Sequence, residues 1–176
     1  MNFDLNYIVV GNILGFIGTM FMVISGVIKD NKKFFIVQDF EMGFLTLSNL
    51  VLGGYTGAIV SFMGIIRNTL CMKDKMNLRN KIIIVIIQTV ACLITNNLGI
   101  IGLCPLFAVV FYSFFITKDA KKLKILNAST LVLWAIYDFH IKSYTSFTMD
   151  VLTIITSLVG LYRVNKNNKN LKNKNE

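Results

Sequence analysis

Charge is scarce in this chain. Of 176 residues only 15% are charged, 18 basic and 9 acidic, and the mean hydropathy is +0.64. A water-soluble domain of this length needs a more charged surface, so the composition excludes that class and points to a membrane protein. Proline, histidine and tryptophan each occur once, as Pro105, His140 and Trp134. A lone histidine has no partner set for a metal centre. Cys71, Cys92 and Cys104 stand apart with no C-x-x-C pair, so neither zinc nor a redox couple is indicated and no cofactor is expected. The cysteines read as small buried residues. G-x-S-x-G, P-loop, H-E-x-x-H and Rossmann glycine patterns are all missing, and no catalytic role is expected. The net charge of +9 does not imply nucleic acid, because the basic residues sit in tight clusters between apolar runs and form no basic aromatic face. MNFDLNY at the start lacks a positive n-region and a small-residue cleavage site, so the first apolar run reads as a retained span.

What the chain has is apolar sequence. Runs long enough to cross a bilayer fall at 8–28, 34–53, 55–72, 82–98, 99–117, 124–141 and 146–164. The expected fold is all-α, with seven transmembrane helices. Beyond it, VNKNNKNLKNKNE has almost no apolar content, and 165–176 reads as a disordered basic tail. Seven crossings put 17 of the 18 basic residues on one side, leaving only Lys142 opposite. Six or eight crossings would spoil that segregation. The positive-inside rule then places the N-terminus outside and the C-terminus in the cytoplasm of a bacterial inner membrane.

KDNKK at 29–33 recurs as KDAKK at 118–122, an offset of 89. At the same offset LGFIGTMFMVISGVIKDNKK (14–33) falls on LCPLFAVVFYSFFITKDAKK (103–122), and Tyr55-Thr56 falls on Tyr144-Thr145. Spans one to three therefore correspond to spans five to seven, with the fourth as a linker. This divides the chain into a first repeat (1–72), a loop and linker helix (73–98) and a second repeat (99–164). The extra crossing restores the direction of the second unit, so a 3+1+3 order makes the two triple-helix bundles parallel.

The offset also aligns polar stripes. Gln38, Glu41, Leu45 and Asn49 share a helix face, and their counterparts are Asn127, Thr130, Trp134 and Asp138. Gly57, Ser61, Gly64 and Asn68 correspond to Ser146, Asp150, Thr153 and Ser157. Polar stripes in membrane helices face a bundle interior or a water-filled cavity. Asn49, Ser61, Asn68, Trp134, Asp138 and Asp150 are therefore the candidate binding residues for a small polar solute between the repeats. The plainer reading leaves Asp138 and Asp150 at the wet interface and Trp134 in an aromatic belt. Asp39 and Glu41 fall between loop and midplane, about 7 to 10 Å from Phe34 at 1.5 Å per residue, which fits an interfacial position. Gly11-x-x-x-Gly15 reads as a close helix contact. Pro105 reads either as a hinge or as a tolerated residue near a helix start.

GFIGTMFMVISGVIKDNKKFFIVQ, GGYTGAIVSFMGIIRN and GLCPLFAVVFYSFFITKDAKKLKILNASTLVLWAIYDF resemble the YgjV-type bacterial inner-membrane protein family, over about residues 8–165. That family looks distantly similar to the SWEET and PQ-loop transporters, which share the 3+1+3 layout. The resemblance implies a solute site in which Trp134 matches the second-repeat tryptophan of SWEET proteins and Asn68 the first-repeat asparagine. Leu45 and Ser157 depart from the pattern, and the proline-glutamine pair is absent. Two functions follow: a small-solute transporter working by alternating access, or a membrane interaction protein that keeps the fold without a solute pathway. The bilayer is a partner in both.

Overall fold

The computed structural model describes residues 5–25, 31–115 and 120–155, and these are helical apart from short turns. The helices are α1 (Leu5–Ser25), α2 (Asn31–Val51), α3 (Tyr55–Met72), α4 (Leu78–Thr95), the single turn α5 (Gly99–Gly102), α6 (Cys104–Phe115) and α7 (Ala120–His140). An eighth, α8, covers described residues 144–155. Lys29, Lys118 and the 165–176 tail lie outside the described residues, as does the Asn127 side chain.

The third span has the expected limits; others start up to four residues earlier. For α4 the cause is a cap. The Asn77 side chain accepts the Asn80 N–H at 2.9 Å, which starts the helix at Leu78 and draws Arg79 and Lys81 into its first turns. The fifth span, expected as one helix over 99–117, is interrupted at Leu103. Pro105 has no N–H to give to the Ile101 carbonyl, so the helical ladder loses a rung there. Pro105 itself is buried in the first turn of α6.

The packing is inverted relative to a water-soluble protein. Among the described residues thirteen buried side chains are polar or charged against eleven hydrophobic ones, while thirty-three large hydrophobic residues are exposed. A surface of this kind is stable only in an apolar solvent. Two helices are by themselves long and apolar enough to cross a membrane: α1 over Leu5–Ile24, mean hydropathy 2.1, and α4 over Leu78–Thr95, mean hydropathy 1.7. In α2, α3 and α7 the polar residues Glu41, Ser48, Asn49, Ser61, Asn68, Thr130 and Asp138 are buried. Their exposed positions include Ile36, Phe40 and Leu47, then Phe62 and Ile66, then Val132, Ile136 and Phe139.

Helices α1, α2 and α3 pack in sequence. Helix α4 lies against α3 and α6, and α6 against α7. Gly11 lets α1 approach Leu52, and Gly15 sits where Ser48, Thr145 and Ser146 converge, so the glycine pair serves close packing. The Ser48 hydroxyl donates to the Gly11 carbonyl at 2.7 Å.

The offset of 89 reappears in the backbone. Gly53 follows α2 with φ 72°, and Lys142 follows α7 with φ 63°. Around Gly53, the Gly54 N–H donates to Asn49 O at 2.7 Å and the Gly53 N–H to Leu50 O at 3.1 Å. Around Lys142, the Ser143 N–H donates to Asp138 O at 2.8 Å and the Lys142 N–H to Phe139 O at 3.3 Å. Both are left-handed helix ends in which two late carbonyls are satisfied by the following turn. Glycine adopts this conformation freely, whereas lysine is held in it at a cost of roughly 1–2 kcal/mol. Lys142→Gly is therefore expected to raise the thermal unfolding temperature in detergent and Gly53→Ala to lower it, each by the equivalent of about 1 kcal/mol. Equal melting of both variants and the parent would refute the equivalence.

The two turns lie at the same end of the bundle. The opposite end carries Lys32 and Lys33, then Lys73, Lys75 and Arg79 in and after the α3–α4 loop. Among the described residues, the basic side chains other than Lys142 thus gather at the end away from the turns.

Candidate functional site

Five of the six candidate residues are buried: Asn49, Ser61, Asn68, Asp138 and Asp150. They do not form one pocket. They are strung along the bundle on α2, α3, α7 and α8, at three levels.

Asn49 and Asp138 are nearest the turns. Each is the residue whose carbonyl accepts the longer-range bond of its helix end, so each is held by the turn that follows it. Tyr137, the neighbour of Asp138, is fully buried and accepts the Gly57 N–H at 2.9 Å. That contact brings the start of α3 against α7.

Ser61 and Asp150 form the middle level. Each is six residues into its helix from Tyr55 or Tyr144, about 9 Å from the turns. Gly57 and Gly64 flank Ser61 on one face of α3. Gly57 meets the Tyr137 ring, beside Asp138, and Gly64 meets the Met42 sulfur, beside Glu41. Ser61 therefore lies at a height between these two contacts, on the same face of α3. Asp150 lies close enough to both Glu41 and Asp138 for their charges to interact. The Ser61 Oγ, 1% exposed, and the Asp150 Oδ2, on a residue 8% exposed, find no hydrogen-bond partner among the described residues. A buried polar atom left this way costs about 1–3 kcal/mol. The Gln88 Nε2 on α4 is in the same position.

Asn68 belongs to a third level, 13 residues into α3 and roughly 20 Å from the turn. Its amide donates to Gln38 Oε1 and Asp39 Oδ1, both at 3.0 Å, and Arg67 reaches its Oδ1 at 3.5 Å. This network links α2 to the basic end of α3. Glu41, expected at an interface, is instead buried within the bundle, because α1 crosses over it: Gly18 packs against the Glu41 carbonyl and Leu45.

Trp134 is half-buried between two apolar clusters, one of Leu52, Tyr137 and Ile141 and the other of Val60, Cys92 and Leu106. Its ring meets Tyr137 edge-on, with centroids 6.1 Å apart. The Cys92 thiol points at the Thr56 carbonyl at 3.9 Å, as a small buried residue would. Among the described residues no three histidine, cysteine or acidic side chains converge as a metal site would need.

Sequence reading missed three contributors. Gln88 was legible as the only long polar side chain in IIIVIIQTVACLIT. Tyr137 sits one position off the polar stripe, so periodicity did not mark it. Asn12 carried no signal in its own helix. Its amide donates to the Lys142 carbonyl at 2.8 Å, and its Oδ1 accepts the Thr145 N–H at 3.0 Å. Asn97 does the reverse, donating to the Gly53 carbonyl at 3.0 Å. Each turn is thus clasped by an asparagine from the other half of the chain.

No curated protein and no solved structure matches the chain. The profile of Imp-YgjV, described as a bacterial inner membrane protein family, matches residues 9–168. An inverted helical bundle with a polar interior is what such a protein requires, and the chain belongs to this family.

Proposed function

We propose that the protein is a small-solute transporter or facilitator of the inner membrane, in which two parallel three-helix units exchange access to a site between them. It crosses the bilayer seven times, with the N-terminus outside and the basic end in the cytoplasm. The reading rests above all on the middle level of the bundle. Ser61 and Asp150 stand at corresponding positions of the two units and bury polar atoms with no partner among the described residues. Polar groups left open at this depth are costly and mark solute pathways. The paired left-handed turns support two equivalent units, as does the distant likeness to SWEET transporters noted above. Burial of the polar column fits an occluded state.

Flux of labelled solutes into proteoliposomes tests the reading. Saturable uptake of at least one polar solute is expected, with Asp138→Ala plus Asn49→Ala reducing it about tenfold or more. No flux across a broad panel, together with unchanged behaviour of the double variant in cells, would sink it. That result would favour a membrane interaction protein without a pathway. The observation on that side is the close fit of Tyr137 against Gly54 and Gly57, with Trp134 packed into the apolar clusters.

A further inference from the structure

Three carboxyl groups are buried in the polar column, from three helices: Glu41 on α2, Asp138 on α7 and Asp150 on α8. Among the described residues the cation whose charge reaches this group is Arg67, which acts on Glu41 and is shared with Asp39 and Asn68 at the basic end. Asp138 feels the charge of Asp150, and among the described residues no cation is seen to act on either. Carboxyl groups gathered in a low-dielectric interior need compensating positive charge or protons.

The open valences at the centre distinguish these. A proton on Asp150 Oδ2 would itself need an acceptor, and among the described residues Oδ2 has no partner; nor has the Ser61 Oγ, on α3 at a height between the levels of Asp138 and Glu41. Both oxygens accept hydrogen bonds, so an occupant bearing several N–H donors satisfies them together. A compact metal ion fits less well, because no three acidic groups converge to ligand distance among the described residues. An organic ammonium spans such a spread, with its N–H groups on one or two oxygens and its charge near the others.

We infer that the solute recognised at the middle level is a small organic ammonium ion, held by Asp150 and the Ser61 hydroxyl between Glu41 and Asp138. This rests on the transport reading and narrows it. The test uses the full chain in proteoliposomes, with labelled ethanolammonium as the probe, ethylene glycol as its neutral counterpart and sodium and potassium as inorganic cations. Ethanolammonium uptake is expected to saturate, to exceed glycol uptake about tenfold or more, and to be unaffected by exchanging sodium for potassium. Asp150→Asn should reduce it about tenfold or more, Ser61→Ala several-fold, and Asp150→Glu should restore part of it by keeping the charge. Size-exclusion profiles and melting curves of each variant separate loss of recognition from loss of fold. Glycol carried as well as ethanolammonium, and insensitive to Asp150→Asn, would overturn the ammonium assignment and leave transport standing. Sodium or potassium flux without ammonium flux would replace it with a metal ion. Absence of every flux would overturn both readings.

Discussion

Gly57→Leu is expected to abolish the folded, monodisperse protein in detergent. A Cβ at position 57 would lie 2.6 Å from Tyr137 Cε1, 2.7 Å from its hydroxyl oxygen and 2.9 Å from Cζ. Real carbon contacts do not come that close, so the ring or the helix must move. The ring has nowhere to go. It is fully buried, packed with Leu52 and Ile141, and stands edge-on to Trp134. Moving α3 instead breaks the bond from the Gly57 N–H to the Tyr137 hydroxyl. Overpacking by a single methyl group costs about 1–3 kcal/mol in a tight core. Leucine adds three more carbons at a place where a marginally stable protein has little to spare. Gly57→Ala should fall between leucine and the parent. Gly43→Ala is the control, because nothing lies within 4 Å of its added carbon. Melting curves followed by size-exclusion fluorescence read all three. A Gly57→Leu protein that melts with the Gly43→Ala protein would show that α3 and α7 do not meet in this way.

The same contact shows where sequence reading stops. Helical periodicity gives the face a residue occupies, and it placed Gly57, Ser61, Gly64 and Asn68 on one stripe. It does not say which neighbour that stripe meets at each height. The stripe meets Tyr137 at one end and Gln38 and Asp39 at the other, so Asn68 is drawn into a network of its own, away from Asn49 and Asp138. Hydropathy located the helices because a bilayer demands long apolar runs, but it missed the start of α4. An asparagine cap, local chemistry that hydropathy ignores, set that boundary. The offset of 89 was legible from two charged clusters and a Tyr-Thr pair. The shared left-handed turns give it a backbone counterpart, even though one turn uses glycine and the other lysine. Glu41 looked interfacial because its depth was counted along α2 alone. The crossing of α1 over α2 at Gly18 is a tertiary fact that buries it.

Removing the two asparagine clasps should loosen the turn end of the bundle without unfolding it. Asn12 ties α1 to the Lys142 turn and the start of α8, and Thr145 Oγ1 returns a bond to the Asn12 carbonyl at 3.0 Å. Asn97 ties the start of α5 to the Gly53 turn. Both bonds end on the carbonyl of a left-handed residue, which its own helix leaves unpaired. Interhelical bonds in membranes average about 0.6 kcal/mol, and the two lost at Asn12 with the one lost at Asn97 total roughly 2 kcal/mol. That is small against the stability of a bundle but large against a balance between closed and open states, where it shifts populations about thirtyfold. The readout is Ser143→Cys, placed at a site 1% exposed, in a chain whose Cys71, Cys92 and Cys104 are changed to serine or alanine. In the parent background a membrane-impermeant maleimide should label it slowly. With Asn12→Ala and Asn97→Ala together, labelling should accelerate by an order of magnitude or more at an almost unchanged melting temperature, and each single variant should fall between. Faster labelling matched by a large drop in melting would mean that the clasps hold the fold itself. Unchanged labelling would mean that the turn end is sealed by packing at Tyr137, Leu52 and Ile141 alone, with the asparagines contributing nothing to closure.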